Sequence, residues 1–256
     1  MKYGKVAICL SGLLRTGIQA HKCFQTFFSQ IEEYDVFYHV WEEPKEVLDQ
    51  LSTLYKPVSC VVVSPKNSLS STNIVGEGSF GNSLYSMMIA NELKKKHEIE
   101  NGFRYNLVIR TRFDLAFPVE ARFPVFNMFP RTIYAWGIDG RTHTDYDHHG
   151  MSDIIFWGDS EAMDIATNCY MYYKYEALPF FEKSLQGVTS DPKNYLYSVG
   201  NLIYDRTIKR NIAHQHYTDN FKEVPWRTDV RHLDPFTQYD KIRERYNKNE
   251  KIDCSR

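Results

Sequence analysis

The feature that most narrows what this chain can fold into is an alternation. Within the first 111 residues, four short runs rich in β-branched and aromatic residues occur: Lys5–Leu10, Asp35–Trp41, Val58–Val63 and Asn106–Thr111. Between them, apolar residues recur at helical spacing: Ala20, Phe24, Phe27, Phe28 and Ile31; Val47, Leu48, Leu51 and Leu54; and Leu84, Met87, Met88 and Ile89 within Ser83–Glu98. Strands alternating with helices at this interval predict an α/β fold: a central, mostly parallel sheet flanked by helices, with ligands at the carboxyl ends of its strands.

The second half is less regular. Ile133–Trp136 and Asp153–Trp157 read as strands around a polar loop, 137–152, and Asp159 and Ser160 are placed to cap a helix over Glu161–Tyr173. Asp191–Pro192 has the signature of a helix start, Ile212–Tyr217 reads as a last strand, and Asp234–Pro235 reads as the opening of a final helix. The segment 64–82, rich in Ser, Asn and Gly, reads as a functional or mobile loop. No internal repeat or clear linker divides the chain, so a single domain is expected over 1–256.

Composition excludes several classes. With 43% hydrophobic residues in 256, the chain can bury a substantial core. The 31 Lys and Arg balance 32 Asp and Glu, which argues against a protein that coats nucleic acid or an acidic membrane. No apolar stretch approaches the ~18–20 residues that cross a bilayer. Val6–Leu14 follows Lys2 and Lys5 as a targeting signal does, but it contains Ser11 and Gly12 and lacks a small-residue cleavage site, so it reads as a buried strand. Five cysteines without a CxxC pair indicate neither a disulfide framework nor a zinc knuckle, and a reducing, cytoplasmic setting is expected.

Four constellations carry chemistry. The loop Ser11-Gly12-Leu13-Leu14-Arg15-Thr16-Gly17 combines a helix N-terminus, a glycine and an arginine fork, which suits a diphosphate; its plain alternative is a tight βα turn. Arg110-Thr111-Arg112-Phe113-Asp114 follows the apolar strand Leu107–Ile109 and puts cationic donors and a carboxylate at the ligand-binding rim. Its alternative is a structural Arg–Asp ion pair. Asp145-Tyr146-Asp147-His148-His149 is the literal Asp-x-Asp, and Asp153 at the head of an apolar run reads either as a base facing a cleft or as a strand-initiating Asp. His214 and His216 share one face of a strand, as do His39 and Trp41, with core packing the plainer role for Trp41.

Taken in order, these motifs resemble something known. Ser-Gly-x-x-Arg-Thr after a first strand, Tyr34-Asp35-Val36-Phe37 with His39 and Trp41, Tyr105 through Leu115, and Ser152-Asp153 with Gly158 together resemble a group of GT-A-type glycosyltransferases found in bacterial surface-polysaccharide clusters and in large viruses. The resemblance covers roughly residues 5–165. It implies a GT-A-like, Rossmann-like sheet, with a nucleotide-binding half over 1–118 and an acceptor-side half over 119–256. It also implies a nucleoside-diphosphate sugar donor, a glycan or other hydroxyl acceptor, and a divalent cation, Mn²⁺ or Mg²⁺, bridging diphosphate and carboxylate.

Carried onto this chain, the resemblance gives Ser11, Gly12, Arg15, Thr16, His39, Trp41, Arg110, Arg112 and Asp114 to the donor. It gives Asp114 and the late histidine His216 to the metal, and Asp153 to catalysis as the base. Arg112 stands where the family's motif has its first Asp, and a guanidinium can itself neutralise a diphosphate. Two other readings share part of the pattern: a sulfotransferase with a phosphoadenosine donor, and a carbohydrate-binding or scaffold protein without chemistry.

Overall fold

The computed structural model describes residues 4–64, 78–117, 119, 121–124, 127–136, 154–173, 210, 213–217 and 226–227. In chain order the first half gives β1 (Val6–Gly12), α1 (Gly17–Phe27), β2 (Asp35–Trp41), α2 (Lys45–Tyr55), β3 (Ser59–Val63), α3 (Gly78–Asn101) and β4 (Leu107–Thr111). There follow β5 (Leu115–Ala116), β6 (Thr132–Trp136), β7 (Phe156–Gly158), α4 (Ser160–Thr167), α5 (Cys169–Tyr172), β8 (Ala213–Tyr217) and β9 (Trp226–Arg227). The expected strand–helix alternation is present, and β2 has the expected bounds.

Seven strands form one sheet in the order β3-β2-β1-β4-β7-β6-β8, while β5 and β9 pair separately. Of the six pairings in the large sheet, those of β1 with β2 and β4, β2 with β3, and β6 with β8 are parallel. Only β7 runs against its neighbours β4 and β6. The mixed α/β, mostly parallel sheet expected from the sequence is therefore the one observed. It runs without a break from β4 into the strands of the second half.

Side-chain alternation sorts the core into two layers. Val6, Ile8 and Leu10 of β1 pack with Phe24, Phe27 and Phe28 of α1, whereas Ala7 and Cys9 pack with Leu84, Met87 and Ala90 of α3 and with Met163 and Ala166 of α4. Because both faces of β1 are covered, every residue from Val6 to Ser11 is buried, which is why the sequence there is a near-continuous apolar run. At the sheet's edge β3 alternates instead, and Val62 is exposed.

Three local devices shape the second half. Asp159 caps α4, its Oδ1 accepting the Ala162 N–H at 2.8 Å. Asn168 ends that helix, so the single helix expected over 161–173 is two, α4 and α5. Gly158 lies where β6 and β7 approach so closely that a Cβ would sit 2.6 Å from the Thr132 carbonyl oxygen. None of the described helices is long and apolar enough to cross a membrane.

Candidate functional site

The strand order has a direction change built into it. From β1 the chain proceeds outward through β2 to β3, then returns to place β4 on the other side of β1. At such a point the connections leaving adjacent strands diverge to opposite faces and open a crevice at their carboxyl ends. The segments that leave β1 and β4 there are 12–16 and 112–114, the first two constellations of the sequence.

They meet at Asp114. Its carboxylate is fully buried and takes a two-pronged contact from Arg112, Nε to Oδ1 at 2.8 Å and Nη2 to Oδ2 at 2.9 Å. Arg15 adds Nη1 to Oδ2 at 3.2 Å from across 99 positions of chain. The guanidiniums are more open than the group they hold: the side chains of Arg15, Arg112 and Asp114 are 26%, 14% and 0% exposed. Arg15 reaches this position from a left-handed backbone, φ 43°. Tyr55 steadies the same loop by donating its hydroxyl to the Gly17 carbonyl at 2.9 Å, and Gly17 has Phe113 against its α-carbon, where a Cβ would lie 2.8 Å from the Phe113 Cβ.

Arg110 sits apart from this trio. It lies on the α3 side of the sheet with Val108 and is buried, donating from Nε to Ser11 Oγ at 3.3 Å with its guanidinium 5.7 Å from the Phe156 ring centroid. Beside it, Ser86 of α3 ties the rim together. Its Oγ accepts the Gly12 N–H at 2.9 Å and contacts His39 Nδ1 at 2.7 Å. The Ser86 Oγ–His39 Nδ1 hydrogen bond takes its direction from the imidazole tautomer, and His39 Nε2 is a buried atom without a hydrogen-bond partner among the described residues. Burial lowers the His39 pKa to about 4. Trp41, almost wholly buried, meets the His39 ring edge-on at 4.9 Å and belongs with Tyr85 to the aromatic packing under the rim.

The loop after β1 is thus braced from within. The Gly12 N–H goes to Ser86, the Gly17 N–H to the Leu14 carbonyl at 2.6 Å, and Thr16, buried, is the N-cap residue of α1 with its carbonyl accepting from Ala20. Gly12, at φ 118°, has the backbone that only glycine adopts without strain.

The backbone puts His216 on the same rung as Arg110, through Phe156 and Ala135, with β7 and β6 between them. Three strand spacings amount to about 14 Å. Register thus relates His216 to Arg110, while Asp114 lies beyond the end of β4. Asp153 and the Asp145–His149 run lie outside the described residues, as do Asp191–Pro192 and Asp234–Pro235. The antiparallel entry of β7 brings Phe156 opposite Arg110, so the chain begins this strand at the rim where its parallel neighbours end.

No family model matches the chain. No curated protein matches it either. Among solved structures, the apo-form glycosyltransferase GlyE of Streptococcus pneumoniae is similar over 84% of this chain and 46% of its own, at 9% identity and a TM-score of 0.41. This chain spans less than half the length of that one.

Sequence reasoning missed the residues that brace the site. Ser86 and Tyr85 lie in a helix whose apolar neighbours drew attention, and nothing in their spacing marks one serine as the partner of His39. Lys94, first of three successive lysines, is wholly buried, with Nζ donating to Ser160 Oγ at 2.6 Å, Asp164 Oδ1 at 2.7 Å and Glu98 Oε2 at 3.1 Å.

Proposed function

We propose that this chain transfers a sugar from a nucleoside-diphosphate donor to a hydroxyl acceptor. The observation that carries the reading is the convergence of Arg15 and Arg112 on Asp114 at the crevice between β1 and β4. Partly open guanidiniums there suit the dianionic bridge of a nucleotide sugar. The sugar itself comes from the motif resemblance, which joins these residues to Asp153.

In the proposed reaction the acceptor O–H gives its proton to the Asp153 carboxylate as its oxygen bonds to the anomeric carbon. The bond from that carbon to the diphosphate oxygen breaks, and its electron pair leaves with the nucleoside diphosphate. Arg15 and Arg112 hold that added charge, and Arg110, buried beneath against Ser11, supports the rim electrostatically. His39 and Trp41 shape the base or ribose side of the crevice.

A divalent cation fits the described residues poorly. Both oxygens of Asp114 already accept from guanidiniums, and among the described residues no three His, Cys, Asp or Glu side chains converge as a metal set. No step of the reaction is therefore routed through a metal.

The test is a thermal-shift screen against UDP, GDP, CDP and phosphoadenosine phosphate. A bound ligand at ~100 times its dissociation constant adds ~2.7 kcal/mol, so one nucleoside diphosphate is expected to raise the melting temperature clearly. Its sugar conjugate is then expected to hydrolyse slowly in the absence of acceptor, and Asp153→Asn to abolish transfer while leaving donor binding intact. A shift with phosphoadenosine phosphate alone favours the sulfotransferase. Binding of a nucleotide sugar without any hydrolysis or transfer favours a binding module.

A further inference from the structure

We propose that the cavity between α1, the end of α2 and the start of β2 is a second binding site, shaped for a small aromatic carboxylate and linked to the crevice through Tyr55. The cavity encloses about 240 Å³, and no residue of 12–16 or 112–114 lines it. The proposal is therefore independent of the nucleotide-sugar reading.

Size and walls point to a single ring. An apolar cavity of about 150 Å³ takes up benzene, so this one has room for a ring with a substituent. Phe24 and Tyr55, both almost wholly buried, meet edge to face at 5.1 Å, and Tyr34 makes a second such pair with Phe24 at 6.1 Å. Val36 and Leu54 complete an apolar floor. His21 belongs with this wall: its ring stands edge-on to Tyr55 at 4.6 Å, and burial holds its pKa below the ordinary value, so it is neutral at neutral pH. A further aromatic ring placed among these adds offset and edge-to-face contacts of the same kind.

The mouth supplies the opposite chemistry. Gln25, Tyr34 and Lys56 bring an amide, a phenol and an ammonium to the cavity, and no side-chain hydrogen bond or ion pair engages any of them among the described residues. All three can donate, and Lys56 adds a positive charge, so the group they receive is an anionic acceptor. One cation matches the single charge of a carboxylate better than a phosphate dianion. A sugar acid would press hydroxyls against an apolar floor that leaves them unpaired, at a cost in desolvation.

Tyr55 faces both ways. Its ring walls the cavity and stands edge-on at 5.7 Å to Phe113, the residue before Asp114, while its hydroxyl donates to the Gly17 carbonyl at 2.9 Å. A ring seated against Tyr55 restricts that side chain, and with it the loop that the hydroxyl holds.

The experiment titrates the full chain with 4-hydroxybenzoate by calorimetry, with glucuronate as the control lacking the aromatic ring and benzyl alcohol as the control lacking the charge. Expected is saturable binding of 4-hydroxybenzoate with a Kd of about 1 mM or tighter, and binding of either control at least about tenfold weaker. Lys56→Gln is expected to weaken binding about tenfold, and Gln25→Trp, whose indole fills the mouth, to abolish it. Both positions are exposed, and an unchanged melting temperature verifies that the variants keep the fold. Amide hydrogen exchange over 12–17 is expected to slow when the ligand is bound, and in Tyr55→Phe, saturated with ligand, not to respond. Absence of saturable binding at about 10 mM overturns the site, as does binding that ignores both Lys56→Gln and Gln25→Trp. Tighter binding of glucuronate than of 4-hydroxybenzoate overturns the ligand class, and exchange over 12–17 that ignores the ligand overturns the link through Tyr55.

Discussion

His39 shows how one side chain acquires a pH dependence from its place. It is buried in the aromatic packing with Trp41 and Tyr85, and burial lowers its pKa to about 4 from an ordinary 6.5. The unfolded chain therefore binds a proton between these values that the folded chain refuses, so stability falls as pH drops from about 6.5 toward 4. The full loss is on the order of 3 kcal/mol. Burial depresses His21 as well, in the same direction. Urea titrations at pH 7.5, 6 and 5 are expected to show a falling midpoint, and His39→Gln is expected to flatten most of that slope. A slope unchanged by the substitution would assign the effect elsewhere.

At the scale of elements, the contact between α3 and α4 depends on charge inside the core. Lys94 bridges Glu98, Ser160 and Asp164, Ser160 Oγ returns a hydrogen bond to Glu98 Oε1 at 2.6 Å, and Glu98 Oε1 also accepts the Tyr105 N–H at 2.7 Å just ahead of β4. Burial alone would raise the Asp164 carboxyl, but Lys94, Asn91 and Arg104 outweigh it and hold the group below the usual carboxylate range. Removing one partner of such a network leaves buried charge uncompensated, so Lys94→Met is expected to cost about 3–5 kcal/mol. Denaturant unfolding checks this, and a cycle with Glu98→Gln is expected to recover part of the loss.

The same helix marks how far the sequence could be read. Apolar periodicity located α3 and each of the four leading strands because burial on two faces imposes a pattern that local sequence carries. It also put Ser11–Thr16 and Arg110–Asp114 at one rim, since both follow buried strands. It did not reveal that Lys94 is interior, because three successive lysines look alike until a partner helix, 66 positions later at Ser160, supplies the acceptors. Nor did it reveal the pairing of β5 with β9, two-residue strands too short for any period. The Asp114 cluster was legible as residues but not as contacts: its place after a buried strand pointed to cationic donors with a possible metal ligand, an Arg–Asp ion pair being the alternative, and the geometry put both oxygens against arginine.

On the scale of the whole molecule, the sheet is assembled from distant pieces. β1 finds one neighbour in β2 and the other in β4, whose Leu107 lies opposite Val6. A fragment ending after α3, at residue 104, would keep β1, β2 and β3 but leave one side of β1 without its partner. Open apolar strand edges invite pairing with other chains. That fragment is expected to aggregate where the full chain stays in solution, and size-exclusion chromatography of the two, expressed side by side, checks it.

The strand order thus has a consequence in time as well as in space. A ribosome adds roughly 5–20 residues per second, so the ~100 residues between the two strands take on the order of 5–20 s to arrive. Through that interval the nascent first half carries its most apolar strand with one flank bare, and the arginines that will converge on Asp114 have no carboxylate to meet. The crevice is among the last features of this half to be completed during synthesis, and slow translation over α3 is the point at which the newborn chain is most exposed to chaperones and to its own neighbours.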